Sequence, residues 1–275
     1  MSDEILIEEK RLLPVLSVAG RSYSYVWDHR GLLLPPLAVV FLIEYVVAFG
    51  SELAKGTPTA STFLSVLAIA IAGIVGLMTF AVGLHRTILA RDVKTGIAFL
   101  RVDGHLRSYA WAWFKIFCVA ILCAVIGALV AALTLHKVNN LAGIGFSVVA
   151  VVIPMLFLLP RFALALPAAA LGEGSSLRQA WRLTRGNWLR IIAVLVLAIL
   201  PFTLLGLLLE LPTLAAAAMS KLVPNMAGAL DSLKYVLVGF SAALRAISTA
   251  VLTVTLSLSY AALARPPADT SEALF

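Results

Sequence analysis

From Thr57 to Leu84 the chain carries no charged side chain. About 20 apolar residues in a helix cross the hydrocarbon core of a bilayer. This run is longer than that, and several others approach it. Water has no place inside such a segment, so the backbone must satisfy its own hydrogen bonds, which a helix does within one stretch of chain. The composition agrees. The 275 residues are 61% hydrophobic and only 13% charged, whereas a soluble domain carries about 25% charged residues. The expected class is all-α integral membrane.

Six spans are expected, at about 31–50, within 57–84, and at about 116–135, 141–164, 189–209 and 246–264. Pro35 and Pro36 fall in the first turns of the first span, where a missing N–H costs least. Pro154 and Pro160 lie inside the fourth, where the carbonyls they free need partners from neighbours. Residues 210–240 are apolar but broken by Pro212 and Pro224. They read as one or two helices lying on the far surface; a seventh span through 235–240 competes. Residues 1–265 form one membrane domain, and 266–275 a disordered tail that begins at a proline pair. The acidic start lacks the pattern of a cleaved signal peptide, so the first span is expected to act as an uncleaved anchor.

Loop charge sets the orientation. Of the 21 Lys and Arg residues, 16 lie in the N-terminal segment, the second-to-third loop, the fourth-to-fifth connection and the tail. Only Lys55, Lys137, Lys221, Lys234 and Arg245 fall on the other side. The positive-inside rule then places both termini in the cytoplasm. The net charge of +7 is accounted for in this way and does not point to nucleic acid.

The stretch 161–188 joins the fourth and fifth spans and is the most informative local sequence. Leu177, Trp181, Thr184 and Trp188 share one helical face, and Arg178, Arg182 and Arg185 share another. Ser176 with Gln179 three residues later forms a capping box. Gly186 suits the left-handed residue that ends a helix, and Asn187 suits the cap of the next. A short basic amphipathic helix of this kind lies in the headgroup layer. Arg178, Arg182, Arg185, Trp181 and Trp188 are therefore candidate contacts to anionic lipid headgroups. Arg161, at the cytoplasmic end of the fourth span, is expected to snorkel to headgroups, with a substrate contact as the alternative.

A loose repeat runs through the chain. SYSYVW at 22–27 matches SYAWAW at 108–113, each precedes a span, and Ala180-Trp181 opens a third such segment. It suggests three units, each an interfacial helix plus a helical hairpin. The two cytoplasmic connections also resemble a known group. HRTILARDVKTGIAFLRVDGHLRSYAWAW and LPAAALGEGSSLRQAWRLTRGNWLRI are similar to segments of bacterial six-span YciC-like proteins. They also resemble the membrane domain fused to some glycerophosphodiester phosphodiesterases. The shared signature is Ala180, Trp181, Thr184, Gly186 and Asn187. The resemblance implies a fold and a bacterial membrane. It carries over no catalytic residue, because this sequence has no counterpart of the phosphodiesterase metal-binding His and Glu.

No chemistry is spelled out elsewhere. His29, His85, His105 and His136 lack metal-ligand spacing. Cys118 and Cys123 sit in one apolar run as small apolar side chains. No phosphate loop or dinucleotide fingerprint is present, so no catalytic, metal or cofactor residues are expected, and no enzyme. Two charges lie in apolar surroundings. Glu44 stands about 20 Å from the start of the first span at 1.5 Å per residue; Arg245 lies at a comparable depth on the sixth. Inserting a carboxylate costs about 2.5–3.5 kcal/mol near mid-membrane, less than the apolar residues of that span return. Glu44 and Arg245 are thus candidates for a charge pair, though insertion does not force one. The expected function is a structural or lipid-interacting membrane factor with anionic lipids as partners. The alternative is a small-molecule or ion transporter or channel.

Overall fold

Each long uncharged run becomes helix, because hydrocarbon leaves the backbone no other partner. The computed structural model describes residues 12–53, 60–100, 102–135, 140–174, 176–222 and 227–264. Among them the order is α1 (Val15–Asp28), α2 (Arg30–Leu53), α3 (Ala60–Leu89), a 3-10 turn (Gly96–Phe99), α4 (Gly104–Leu135), α5 (Asn140–Ala163), α6 (Ala165–Leu171), α7 (Leu177–Leu183), α8 (Trp188–Leu222) and α9 (Ala227–Ala264). Six of these helices are long and apolar enough to cross a membrane, and no described residue forms a strand. The chain is an all-α, multi-pass membrane protein. The tail 266–275, Lys55, His136 and Lys137 fall outside the described residues.

Three hairpins, α2–α3, α4–α5 and α8–α9, form the bundle. Two expectations are corrected. Residues 210–222 and 227–240 are not separate surface helices: the first continue α8, which reaches 35 residues, and the second open the 38-residue α9. At 1.5 Å per residue these helices are about 50 Å and longer, well beyond the ~30 Å hydrocarbon core. Pro212 is absorbed inside α8, since one proline removes one ladder bond and the alanine run after it favours helix strongly. The second correction concerns Tyr109, Trp111 and Trp113. They occupy the first turns of α4 itself, not a separate interfacial helix, because no proline intervenes between Gly104 and Leu135. Among the described residues, separate short α-helices precede the first and third hairpins, and the 3-10 turn Gly96–Phe99 precedes the second.

The core sits at one end, called here the basic end because Arg86, Arg178, Arg182 and Arg185 lie there. Its hub is the last part of α9, where Ala250, Val251, Val254, Thr255, Ser257 and Tyr260 are each at most 2% exposed. Leu33 and Val40 of α2, Phe80 and Leu84 of α3, Leu164, and Ile191 and Val194 of α8 close around it. The hydroxyls in this apolar hub are satisfied within the helix: Thr253, Thr255 and Ser257 each donate to the carbonyl four residues back. Away from the basic end α4 is bare. From Trp113 to Leu129 only Cys123 and Gly127 are buried. At Gly127 the backbone passes so close to Val151 of α5 that an added Cβ would overlap its side chain.

α1 packs against α8 and α9. It reaches α2 through a one-residue break at His29, whose N–H still bonds the Tyr25 carbonyl at 3.0 Å. Tyr23 of α1 points into the bundle, and its Oη lies 2.8 Å from the carbonyls of Leu197 and Ala198 on α8. Pro201 lies four residues after Leu197 and has no N–H to give that carbonyl. The phenol supplies the missing donor, and burial pushes its pKa up, which keeps the proton in place.

Candidate functional site: a caged arginine at the basic end

Arg161 is one helical turn beyond Phe157 on α5, so the two side chains share a face. Its guanidinium carbon lies 4.1 Å from the centre of the Phe157 ring, 4.3 Å from that of Trp181 and 5.7 Å from that of Trp188. The rings brace one another. Phe157 meets Trp181 and Trp188 edge-on at 5.8 and 5.2 Å, and Phe162 leans on Trp181 at 5.9 Å. Three helices, α5, α7 and α8, thus supply one box. Arg161 is only 7% exposed within it. No carboxylate of the described residues pairs with it, and its Nε is covered without an acceptor.

The energetics of this arrangement are uneven. Cation–π contact is worth about 0.5–2 kcal/mol per ring. Removing a charge from water costs several kcal/mol. Rings that screen a cation while offering it no hydrogen-bond acceptor leave the planar donor fork unfilled. Arg30 over Trp27 and Lys115 over Trp111 also make ring contacts, but those tryptophans are more than half exposed. Only Arg161 is enclosed among these three cations.

The segment that builds the box is set by its own residues. Ser176 Oγ accepts the Gln179 N–H at 3.3 Å and starts α7. Ala180 is buried, and its small side chain lets α7 settle on the bundle. Thr184 is wholly buried and bonds the Trp181 carbonyl at 3.1 Å. Gly186 takes φ +83° to reverse the chain. Asn187 stands directly before α8, where its carbonyl accepts the Ile191 N–H at 2.9 Å, and its side-chain Oδ1 accepts the Leu13 N–H at 3.0 Å. Arg190 donates to the Leu13 carbonyl at 3.1 Å. These two bonds to Leu13 pin the chain before α1 to the start of α8 and hold Trp188 in place.

No family model, no curated protein and no solved structure matches this chain.

The other candidates are spread over the basic end and the bundle. Arg178, Arg182 and Arg185 are exposed on α7 and the turn after it, with no acidic partner among the described residues. Trp181 and Trp188 are half-buried and turned onto Arg161, so they are walls of the box more than free anchors in lipid. Arg161 does not extend outward as a snorkelling side chain does. Glu44 Oε2 and Arg245 Nε stand 3.2 Å apart, linking α2 to α9; Arg245 is half exposed and Glu44 mostly covered. The described residues hold no cluster of three or more His, Cys, Asp or Glu side chains.

Sequence reasoning missed two polar clusters. His85 is completely buried, with Nδ1 2.7 Å from Ser257 Oγ and its ring against Tyr109. Ser257 donates to the Thr253 carbonyl, so its oxygen receives the proton of Nδ1. The second cluster shapes the loop after α3. Arg86 donates to Asp92 Oδ2 at 2.7 and 3.2 Å, Asp103 Oδ2 stands 3.7 Å away, and Lys94 reaches Asp92 at 3.8 Å. Asp103 also caps α4 through the N–H groups of His105 and Leu106. A small cleft lies there, lined by Gly83, Arg86, Asp92 and Lys94. Charge spacing alone carried no signal for either cluster, since their members are far apart in sequence or look like ordinary loop residues.

Proposed function

We propose that this protein is a non-enzymatic, lipid-interacting factor of a bacterial inner membrane, with its basic end and both termini in the cytoplasm. One observation carries the reading. Arg178, Arg182 and Arg185 are all exposed, without an acidic partner among the described residues, on a short helix fixed to the bundle. A basic residue near an anionic leaflet contributes about 1 kcal/mol, so the row contributes about 3 kcal/mol in favour of anionic lipid. The resemblance of the 161–188 segment to YciC-like six-span proteins supports the same membrane and orientation. The cleft beside α3 lies in the Arg86 loop and away from Glu44, which gives the transporter alternative no added support.

The test replaces Arg178, Arg182 and Arg185 together with Gln, which keeps helix propensity and removes charge. In nanodiscs of mixed composition the variant should insert normally and lose its enrichment of anionic over zwitterionic lipid. Unchanged enrichment sinks the reading.

A further inference from the structure

Arg161 offers a hydrogen-bonding fork that the described residues leave empty. Its Nε is sealed from solvent without an acceptor. The guanidinium is held from three sides by Phe157, Trp181 and Trp188, and no carboxylate of the described residues reaches it. The guanidinium is planar, and fixed among these rings it is preorganised for two parallel bonds to one oxyanion. The first residue of α8 is Trp188 itself, so the positive end of a long helix dipole lies at the same spot and favours an anion. Two turns deeper, Ile153 of α5 and Val196 of α8 are exposed and apolar. Charge lies at the end of the bundle and bare apolar surface lies below it. That is the order of groups in a membrane lipid.

We propose that Arg161, with the rings of Phe157, Trp181 and Trp188, forms a binding site for a single phosphate group, carried by an anionic lipid headgroup. The site deepens the lipid-interacting reading above and rests on it, but it is distinct from the exposed arginine row. The row gives a diffuse preference that salt screens; the box gives one saturable position. A soluble phosphate compound shares the same chemistry and is separated from the lipid by the experiment.

The two tryptophans of the box are its own reporters. In the whole chain, Trp27, Trp111 and Trp113 are changed to Phe, leaving Trp181 and Trp188 as the emitters. The detergent-solubilised protein is titrated with brominated phosphatidylglycerol, with brominated phosphatidylcholine, and with inorganic phosphate as competitor. Phosphatidylglycerol should quench saturably and phosphatidylcholine only weakly. Arg161→Gln should abolish saturation. Arg161→Lys keeps the charge and the ring contacts and guards against loss of fold; it should weaken half-saturation at least tenfold. The triple Arg178→Gln, Arg182→Gln, Arg185→Gln variant should keep the saturable quenching. If inorganic phosphate competes as well as the lipid does, the phosphate site stands and its ligand is soluble. If Arg161→Lys and folded Arg161→Gln bind as the parent does, or if both lipids quench alike, the site is overturned. In that case loss of anionic enrichment in the triple variant would still uphold the broader function.

Discussion

Tyr23 completes a hydrogen bond that Pro201 cannot make. The carbonyl of Leu197 would face an N–H at position 201 in a regular helix; the phenol stands there instead at 2.8 Å. Leaving a buried carbonyl without a donor costs about 1–3 kcal/mol, and this one is part-buried, so the low end of that range applies. Tyr23→Phe should therefore lower stability by about that amount. Pro201→Leu restores the N–H, so Tyr23→Phe should cost much less in that background. Thermal unfolding of the four proteins in detergent gives the coupling directly, and equal costs in both backgrounds refute the account. The same logic explains why Asn187 and Arg190 turn to Leu13: the chain ahead of α1 has polar groups to satisfy and α8 supplies the partners.

Helix pairs in this protein are set by where side chains are absent. At Gly127 a Cβ would overlap Val151 Cγ2 outright and stand 3.2 Å from its Cβ, the root of a stiff β-branched side chain. Gly127→Ala should push α4 from α5 and destabilise by about 1–3 kcal/mol. Gly76→Ala meets mainly the Cδ1 tip of Ile43, which a rotamer change relieves, and should cost clearly less. Thermal melts of the two variants separate these cases; a Gly76→Ala penalty equal to that of Gly127→Ala would overturn the assignment. Between α2 and α9 the link is electrostatic. Glu44 and Arg245 lie 3.2 Å apart with Arg245 53% exposed, so their coupling should be about 0.5–1 kcal/mol. Strictly additive losses for Glu44→Ala and Arg245→Ala would show that the proximity carries no energy.

At the scale of the molecule, six crossings require both ends of the chain on the same side. Two hydrogen bonds agree: Leu13 meets the start of α8, and Tyr260, near the end of α9, donates to Glu173 between α6 and α7. Reporters fused after residue 265 should be active as cytoplasmic markers, and reporters near Thr57 as external ones. An external C-terminal reporter would mean an odd number of crossings. The architecture also explains a contrast within the bundle. The α4–α5 hairpin is tied to its neighbours at the basic end, through His85 against Tyr109 and Phe157 against Trp188. Further along, α4 presents Ile121, Leu122, Val125, Ile126 and Leu129 outward, which is stable only in hydrocarbon.

The class, the three hairpins and the start of α7 could be read from the residues, because each depends on local physics. Uncharged runs longer than a bilayer must be helices, Ser176 can cap only the helix that it opens, and Gly186 alone tolerates its backbone angle cheaply. The extension of α8 and α9 was not legible. Pro212 marks a break in an isolated helix, whereas α8 runs on through it into a long alanine run of high helix propensity. The box around Arg161 was also out of reach. Arg161, Trp181 and Trp188 look in sequence like a snorkelling cation and two interfacial anchors, and each reading is sound for a lone helix. Only the meeting of α5, α7 and α8 turns the rings inward, because that packing sets three aromatic faces around one guanidinium whose charge has nowhere else to go.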